Sequence, residues 1–400
     1  MSLLEGSSEI NKMDPFSESS DMKEGLDLTN SNSKSFTILP KKKWIITLII
    51  VLILLFATVG IVLLIFFLAK KSDEIKISEI VCNYSISELN ASILSSEYEN
   101  KNNIVIEIYF NDTKIDKIDY IKEYAFPSEG NYTIKYILNG DLFLDNMFKN
   151  IDSVQSIEFK NSSNSNVKIL SMKSTFEGCK NLDRILFTES FDTSELKSTS
   201  KLFYNSGIKE INFNKFDTKN VEDMSYMFSH CESLTSLNLD NFSTQNALIM
   251  SYMFSDLNLT NIPIINLETR NVKSMDYMFS NDYLVTILNT SNFNTENVQT
   301  MKGMFYNCSN LEEVYPQAFN TTKVTDFDYM FKNCKSIREL NLTSFYTVNC
   351  NKFNEMFDGC PRMKILILDK IDAFENLLEV MLNSEVNIKF KPEFDYYDDY

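Results

Sequence analysis

Apolar positions along this chain return with a fixed beat. Phe148, Phe176, Phe203, Phe228, Phe254, Phe279, Phe305, Phe331 and Phe357 each follow Met, Thr or Leu, at intervals of 25–28 residues. A constant period of this length marks one unit repeated and stacked into a solenoid. The unit from Met224 to Ala247 shows the pattern inside each turn. Met224, Met227 and Phe228 are spaced i, i+3, i+4, which predicts one face of a short helix. Leu237 and Leu239, led by Leu234, alternate and predict a strand with one buried side. Asn220, Asn246, Asn271, Asn297 and Asn349 precede the helical stretch, where an Asn oxygen suits an N-cap. The expectation is an α/β solenoid of about nine strand–helix turns over 143–368, spanning roughly 40 Å.

Residues that alternate with the buried Leu positions face away from the core. By repeat register these are Glu210, Asn212, Ser236, Asn238, Glu313, Tyr315, Glu339 and Asn341. They predict a polar, acidic sheet, the usual recognition face of a solenoid. One observation opposes this. Asn289 and Asn341 begin N-x-[ST] sequons and fall on the same face, where glycans would shield it.

Outside the array the pattern changes. Residues 1–43 are rich in Ser, Asn, Asp and Glu and read as a disordered, cytoplasmic tail. Residues 44–69, from Trp44 to Ala69, hold no charge. As a helix they would rise about 39 Å, enough for a single-pass transmembrane signal anchor. Lys34 and Lys41 to Lys43 outnumber Lys70, Lys71 and Lys76, a slight bias toward an inside N-terminus. Sequons begin at Asn83, Asn90, Asn111, Asn131, Asn161, Asn241, Asn258, Asn289, Asn307, Asn320 and Asn341, and none precedes the apolar stretch. That distribution predicts a single-pass plasma-membrane protein with residues 72–400 extracellular and glycosylated. Residues 70–142 predict a juxtamembrane region with a small β unit capping the array. Its strands are expected at Asn103–Phe110 and Tyr132–Leu138, with Pro127 and Gly130 turning between them. Residues 369–400 predict a closing helix at Phe374–Leu382, a strand at Val386–Phe390 and an acidic tail.

Cys179, Cys231, Cys308, Cys334 and Cys360 each stand three residues after the repeat Phe and form one column. Two readings stay open: buried thiols filling a narrow ladder, or one neighbouring pair bridged in an oxidising compartment. Cys350 reads as a small buried hydrophobe; Cys82 lies outside the array.

The repeats resemble the BspA-type leucine-rich repeat of 25–26 residues, over about Phe143 to Leu368. The register departs at Ser206, at Asp256 or Leu257, and at Pro263 within a strand. The resemblance implies adhesion or recognition at a cell surface. Composition narrows the classes further. Net charge is −17, so nucleic acid is not an expected partner. The only histidine, His230, reads as an exposed helix-end residue, and no Cys-x-x-Cys or Gly-rich phosphate loop is present. No catalytic, cofactor or metal site is expected. The chain reads as a membrane-anchored surface protein whose solenoid binds a protein or cell-surface ligand. The alternatives are a coat protein without a dedicated ligand, or an intracellular scaffold if the orientation is reversed.

Overall fold

In the β unit, long runs of alternating Ile, Tyr and Thr make long strands; in the repeats, a different device takes over. The structure is a computed structural model describing residues 40–71, 77–99, 101–161, 167–188, 192–211, 213, 216–368, 371–382 and 386–391. The chain divides into two units, Met1–Asp73 and Glu74–Tyr400. The expected N-terminal tail before residue 40, the C-terminal tail after 391 and Asn212 lie outside the described residues.

In the first unit a helix, α1 (Pro40–Lys71), covers the apolar stretch. Side chains are placed for 48–63, and all are exposed. No helix among the described residues is long and apolar enough to cross a membrane. The expected membrane-spanning helix is corrected on that finding.

The second unit starts with strands β1 (Ile77–Ile86), β2 (Asn90–Ser92), β3 (Val105–Phe110), β4 (Thr113–Asp119), β5 (Glu123–Ala125) and β6 (Gly130–Asn139). Alternation buries Ile80, Cys82, Tyr84 and Ile86 of β1 against Tyr132, Ile134, Tyr136 and Leu138 of β6. The hydroxyls of Tyr84 and Tyr136 meet at 2.8 Å, and both donate to the Ile93 carbonyl. This satisfies two phenols deep in the core.

The array then adds β7 (Leu142–Phe143), β8 (Val154–Asn161), β9 (Ile169–Ser171), β10 (Arg184–Phe187) and β11 (Glu210–Ile211). One seven-stranded sheet runs β11-β10-β8-β1-β6-β3-β4. β1 is antiparallel to both β6 and β8, whereas β8, β10 and β11 are parallel. The β unit therefore closes the array by backbone pairing and shares its sheet. Later turns contribute β12 (Ile287–Leu288), β13 (Glu313–Val314), β14 (Glu339–Asn341) and β15 (Lys364–Leu368). Between β11 and β12 the ladder lapses. Pro263 lacks a donor there and the chain enters a 3-10 turn at Ile264–Asn266. A helix, α2 (Ile371–Leu382), buries Leu377 and Met381, and β16 (Asn387–Lys391) pairs with β15.

The α/β leucine-rich-repeat expectation is overturned at the Met-Phe segment, which is not helical. Tyr226 and His230 sit at φ 57° and 58°, and left-handed residues cannot continue a right-handed helix. Instead, alternate amides go to different partners. Met224, Tyr226, Phe228 and His230 donate to the carbonyls of Ile249, Ser251, Met253 and Ser255 in the next turn. Met227, Ser229 and Cys231 donate three residues back within their own turn. Met224, Met227 and Phe228 all point inward, because consecutive tight turns give the same i, i+3, i+4 side as a helix does. The nine Phe rings stack with centroids 5.3–6.0 Å apart. Eight steps between nine rings make a mostly β solenoid of about eight turns.

Side chains stitch the turns. Thr218, Thr244, Thr269, Thr295 and Thr321 each donate to a carbonyl one turn ahead, at 2.8–3.0 Å. Asn220, Asn246, Asn271, Asn297 and Asn349 donate through Nδ2 to a carbonyl one turn behind, at 2.6–3.1 Å. These asparagines are not the expected N-caps: the amide nitrogen bonds, and there is no helix to cap.

Candidate functional site

The sheet-face residues named from register fall into two grooves. Glu210, Ser236 and Asn238 line one of about 340 Å³ beside Arg184. Glu313, Tyr315, Glu339 and Asn341 line another of about 390 Å³ with Arg338. Tyr315 donates its hydroxyl to Glu313. The lapse of the ladder separates the two grooves, so the face is not one continuous sheet.

Several sequon side chains are already engaged. Asn83 donates to Ser156 at 2.9 Å. Asn258 donates to the Glu232 carbonyl at 3.0 Å. Asn307, half-buried, donates to Asn281 and the Tyr283 hydroxyl. Asn289, Asn320 and Asn341 each hold the Ser or Thr two residues on through Oδ1. Asn90, Asn111, Asn131 and Asn241 are exposed, and Asn161 ends β8.

All seven cysteines are free and buried. In the column each thiol has a defined task. Cys179, Cys231, Cys308, Cys334 and Cys360 donate to the carbonyls of Phe148, Phe203, Phe279, Phe305 and Phe331, at 2.9–3.0 Å. Burial pushes the thiols of Cys231 and Cys360 up to about 12, so they stay protonated donors and poor nucleophiles. Asp282 occupies the same column three residues after Phe279. Its Oδ1 accepts from the Leu257 amide at 2.9 Å; Oδ2 is buried without a partner. Burial raises this carboxyl well above its ordinary range, and the nearby Asp256 carboxylate adds to the rise.

A third groove, of about 650 Å³, lies on the Met-Phe edge. Tyr226, Tyr252 and Tyr277 stack face to face, 4.5 and 4.8 Å apart. Tyr204 and Tyr306 stand across the two ends of this stack, at interplanar angles of 85° and 72°. Ser229 and Ser280 line the groove beside them, at the position where the turns on either side carry Tyr204 and Tyr306; Ser255, between them in the column, is fully buried. His230, Asp256 and Asn281 form the opposite side. His230 is thus no helix-end residue. It packs edge-on to Tyr204 and sets Nε2 3.6 Å from Asp256. Burial raises the Asp256 carboxyl against the pull of His230 and an Asn281 hydrogen bond. Burial also pushes the Tyr277 hydroxyl up to about 12, keeping it neutral.

These tyrosines are not among the residues expected from the sequence, because they occupy a variable position, two before the repeat Phe. The signal was there: Tyr226, Tyr252, Tyr277 and Tyr329 hold it in four turns. All four adopt φ between 54° and 63°. For a bulky residue that conformation costs about 1–2 kcal/mol. Gly303 fills the position in the one turn between them. A Cβ there would lie 2.2 Å from the Tyr277 ring.

Among the described residues no group of His, Cys, Asp and Glu is placed to hold a metal ion. No curated protein and no solved structure matches the chain. A repeat-family profile matches residues 143–256, 170–287 and 282–379, running through the whole array. Because those stretches together cover more than half of the 400 residues, the chain belongs to the family described as Mycoplasma protein of unknown function, DUF285.

Proposed function

We propose that this chain is a non-enzymatic recognition protein of the cell surface, and that its β-solenoid captures a protein partner in the tyrosine groove. One observation carries the reading. Tyrosine stands at a left-handed backbone position in four turns, where Asn or Gly would cost less. At the second left-handed position of the same turns the chain uses His230, Asp256, Asn281 and Asn333, chiefly the small polar types that backbone prefers. Backbone geometry accounts for the second position and not the first, so the rings are kept for what they present. Half-exposed aromatics in a groove are the residues that anchor interfaces.

The surface setting rests on weaker support. The BspA-type resemblance implies it, and every sequon lies after the uncharged Trp44–Ala69 stretch. Exposed apolar side chains over 48–63 support membrane association of that stretch. The test is surface biotinylation of intact cells with a glycosidase shift, alongside membrane fractionation with and without residues 44–69. Labelling of the array and pelleting that depends on 44–69 is expected. An unlabelled, unshifted protein in the soluble fraction would overturn the placement.

A further inference from the structure

The tyrosine groove has a geometry that selects among ligand classes. Resting on the recognition reading above, we infer that it takes a proline-rich peptide segment in the polyproline II conformation, with a basic residue in its flank.

Spacing is the first ground. Two steps of the tyrosine stack, 4.5 and 4.8 Å, match one polyproline II turn of about 9.3 Å, three residues at about 3.1 Å each. Residues i and i+3 of such a segment meet every second ring. From Tyr204 to Tyr306 the groove crosses four turns, about 19 Å at strand spacing, or about six polyproline II residues. Past Tyr306 the groove runs on beside Tyr329, Lys332 and Glu355, so the peptide's flank has room beyond the stack.

Hydrogen bonding is the second. A polyproline II backbone has no internal hydrogen bonds, so its carbonyls need donors from outside. The groove wall is rich in them: tyrosine hydroxyls held neutral by burial and the His230 ring. Proline brings no N–H that would need an acceptor in return. Aromatic edges also carry the positive rim of the ring quadrupole, which suits carbonyl oxygens.

The stacking itself excludes a competing class. Sugars lay their rings on aromatic faces, and here both faces of Tyr252 and the inner faces of Tyr226 and Tyr277 are covered within the stack, while Tyr204 and Tyr306 stand edge-on to the outer two rings. Charge supplies the flank. Asp256 and Glu355 line the groove against one lysine, Lys332, which is paired with Glu355, and the chain's net charge is −17, so a basic residue is attracted and an acidic one repelled.

The test titrates the full-length protein into a fluorescein-labelled peptide of Pro-Pro-Leu triplets bearing one terminal arginine, read by anisotropy. Controls are the same peptide with every proline replaced by glycine, one with glutamate for arginine, and cellohexaose as competitor. Saturable binding is expected. It should weaken at least about tenfold with the glycine peptide and about threefold or more with the glutamate peptide. Tyr252→Asn and Tyr277→Asn should each weaken it at least about tenfold. Asparagine tolerates the left-handed backbone, so these variants keep the fold, which a thermal melt verifies. Tyr315→Ala, in a different groove, should leave binding within about twofold. Equal binding of the glycine peptide, no saturation at millimolar concentration, or indifference to Tyr252→Asn would overturn the polyproline assignment. If cellohexaose or peptides without proline bind in a Tyr252-dependent way, the ligand class falls and the recognition groove stands. If nothing binds in a Tyr252-dependent way, both fall.

Discussion

The β unit and the array share one sheet, yet they fix their neighbours by different means. β1 meets β6 through ten consecutive backbone pairs, and its register is set by alternation along a long strand. In the array, strands shrink to two residues at β11, β12 and β13, and parallel contact continues as single bridges from Ser198 to Asp326. There the neighbour is chosen by a threonine, an asparagine and often a cysteine at fixed places in each turn. The lesson is that polar side chains have become structural in the array, whereas in the β unit the backbone does that task.

The largest break comes from the stacked rings. Phe305→Ala removes a ring that touches Phe279 and Phe331 and should cost about 3–5 kcal/mol in urea unfolding. Hydrogen exchange should rise at Phe279 and Phe331 while the β1–β6 amides keep their protection. Lost protection in β1–β6 would show that the two regions unfold as one.

A threonine in each region sharpens the contrast. Thr295 donates to the Asn320 carbonyl, so Thr295→Val should cost about 1 kcal/mol. Thr133 reaches only exposed Asn83, and Thr133→Val should stay within about 0.5 kcal/mol. Equal costs would refute the assignment of structural duty to the array's hydroxyls. Tyr252→Asn should change stability less and in the other direction, raising it by up to about 1 kcal/mol as the left-handed strain is relieved. A fall in melting temperature would mean the ring stack stabilises the fold more than the strain costs.

The last change vanishes at one end of its pH range. Folded Asp282 holds its proton because burial disfavours the charge; unfolded, it ionises near its ordinary 3.8. Unfolding above that pH therefore releases a proton. The stability tied to this acid is full below about pH 3.8 and drains as pH climbs toward the raised folded value. Asp282→Asn keeps an acceptor for Leu257 and titrates nothing. Its melting temperature should equal the parent's near pH 3.5 and exceed it increasingly toward neutrality. A constant gap across that range would show Asp282 ionised in the fold.

The buried ladders were legible because Phe, Met and Leu must reach the same interior at every turn, which imprints an unbroken period. The turn chemistry was harder to read. Asn281, Asn307 and Asn333 announce left-handed backbone, but Tyr226 and Tyr252 do not, and without them the i, i+3, i+4 spacing looks helical. The asparagine ladder reads as caps in the sequence because one amide carries both an acceptor and a donor, and sequence does not say which is used. Outward residues such as Glu313 and Glu339 followed from alternation alone. The tyrosine groove did not, since its three walls come from positions that each look variable within one repeat.

The ladders also set how the chain finds its fold. The thiol, hydroxyl and amide bonds join residues about one turn apart, from 23 in the Ser251–Ser274 bond to 31 in the Cys179–Phe148 bond. Folding therefore closes a loop of nearly the same length again and again, and the entropic cost of closure never grows with the chain. Relative contact order falls as turns are added, which favours rapid growth from one end. β1, already paired in the sheet, offers β8 an edge on which to start. A whole turn can be gained or lost without changing this problem. The groove alone would register the change, because it needs its three serine-bearing turns, each bearing a stacked tyrosine, in succession.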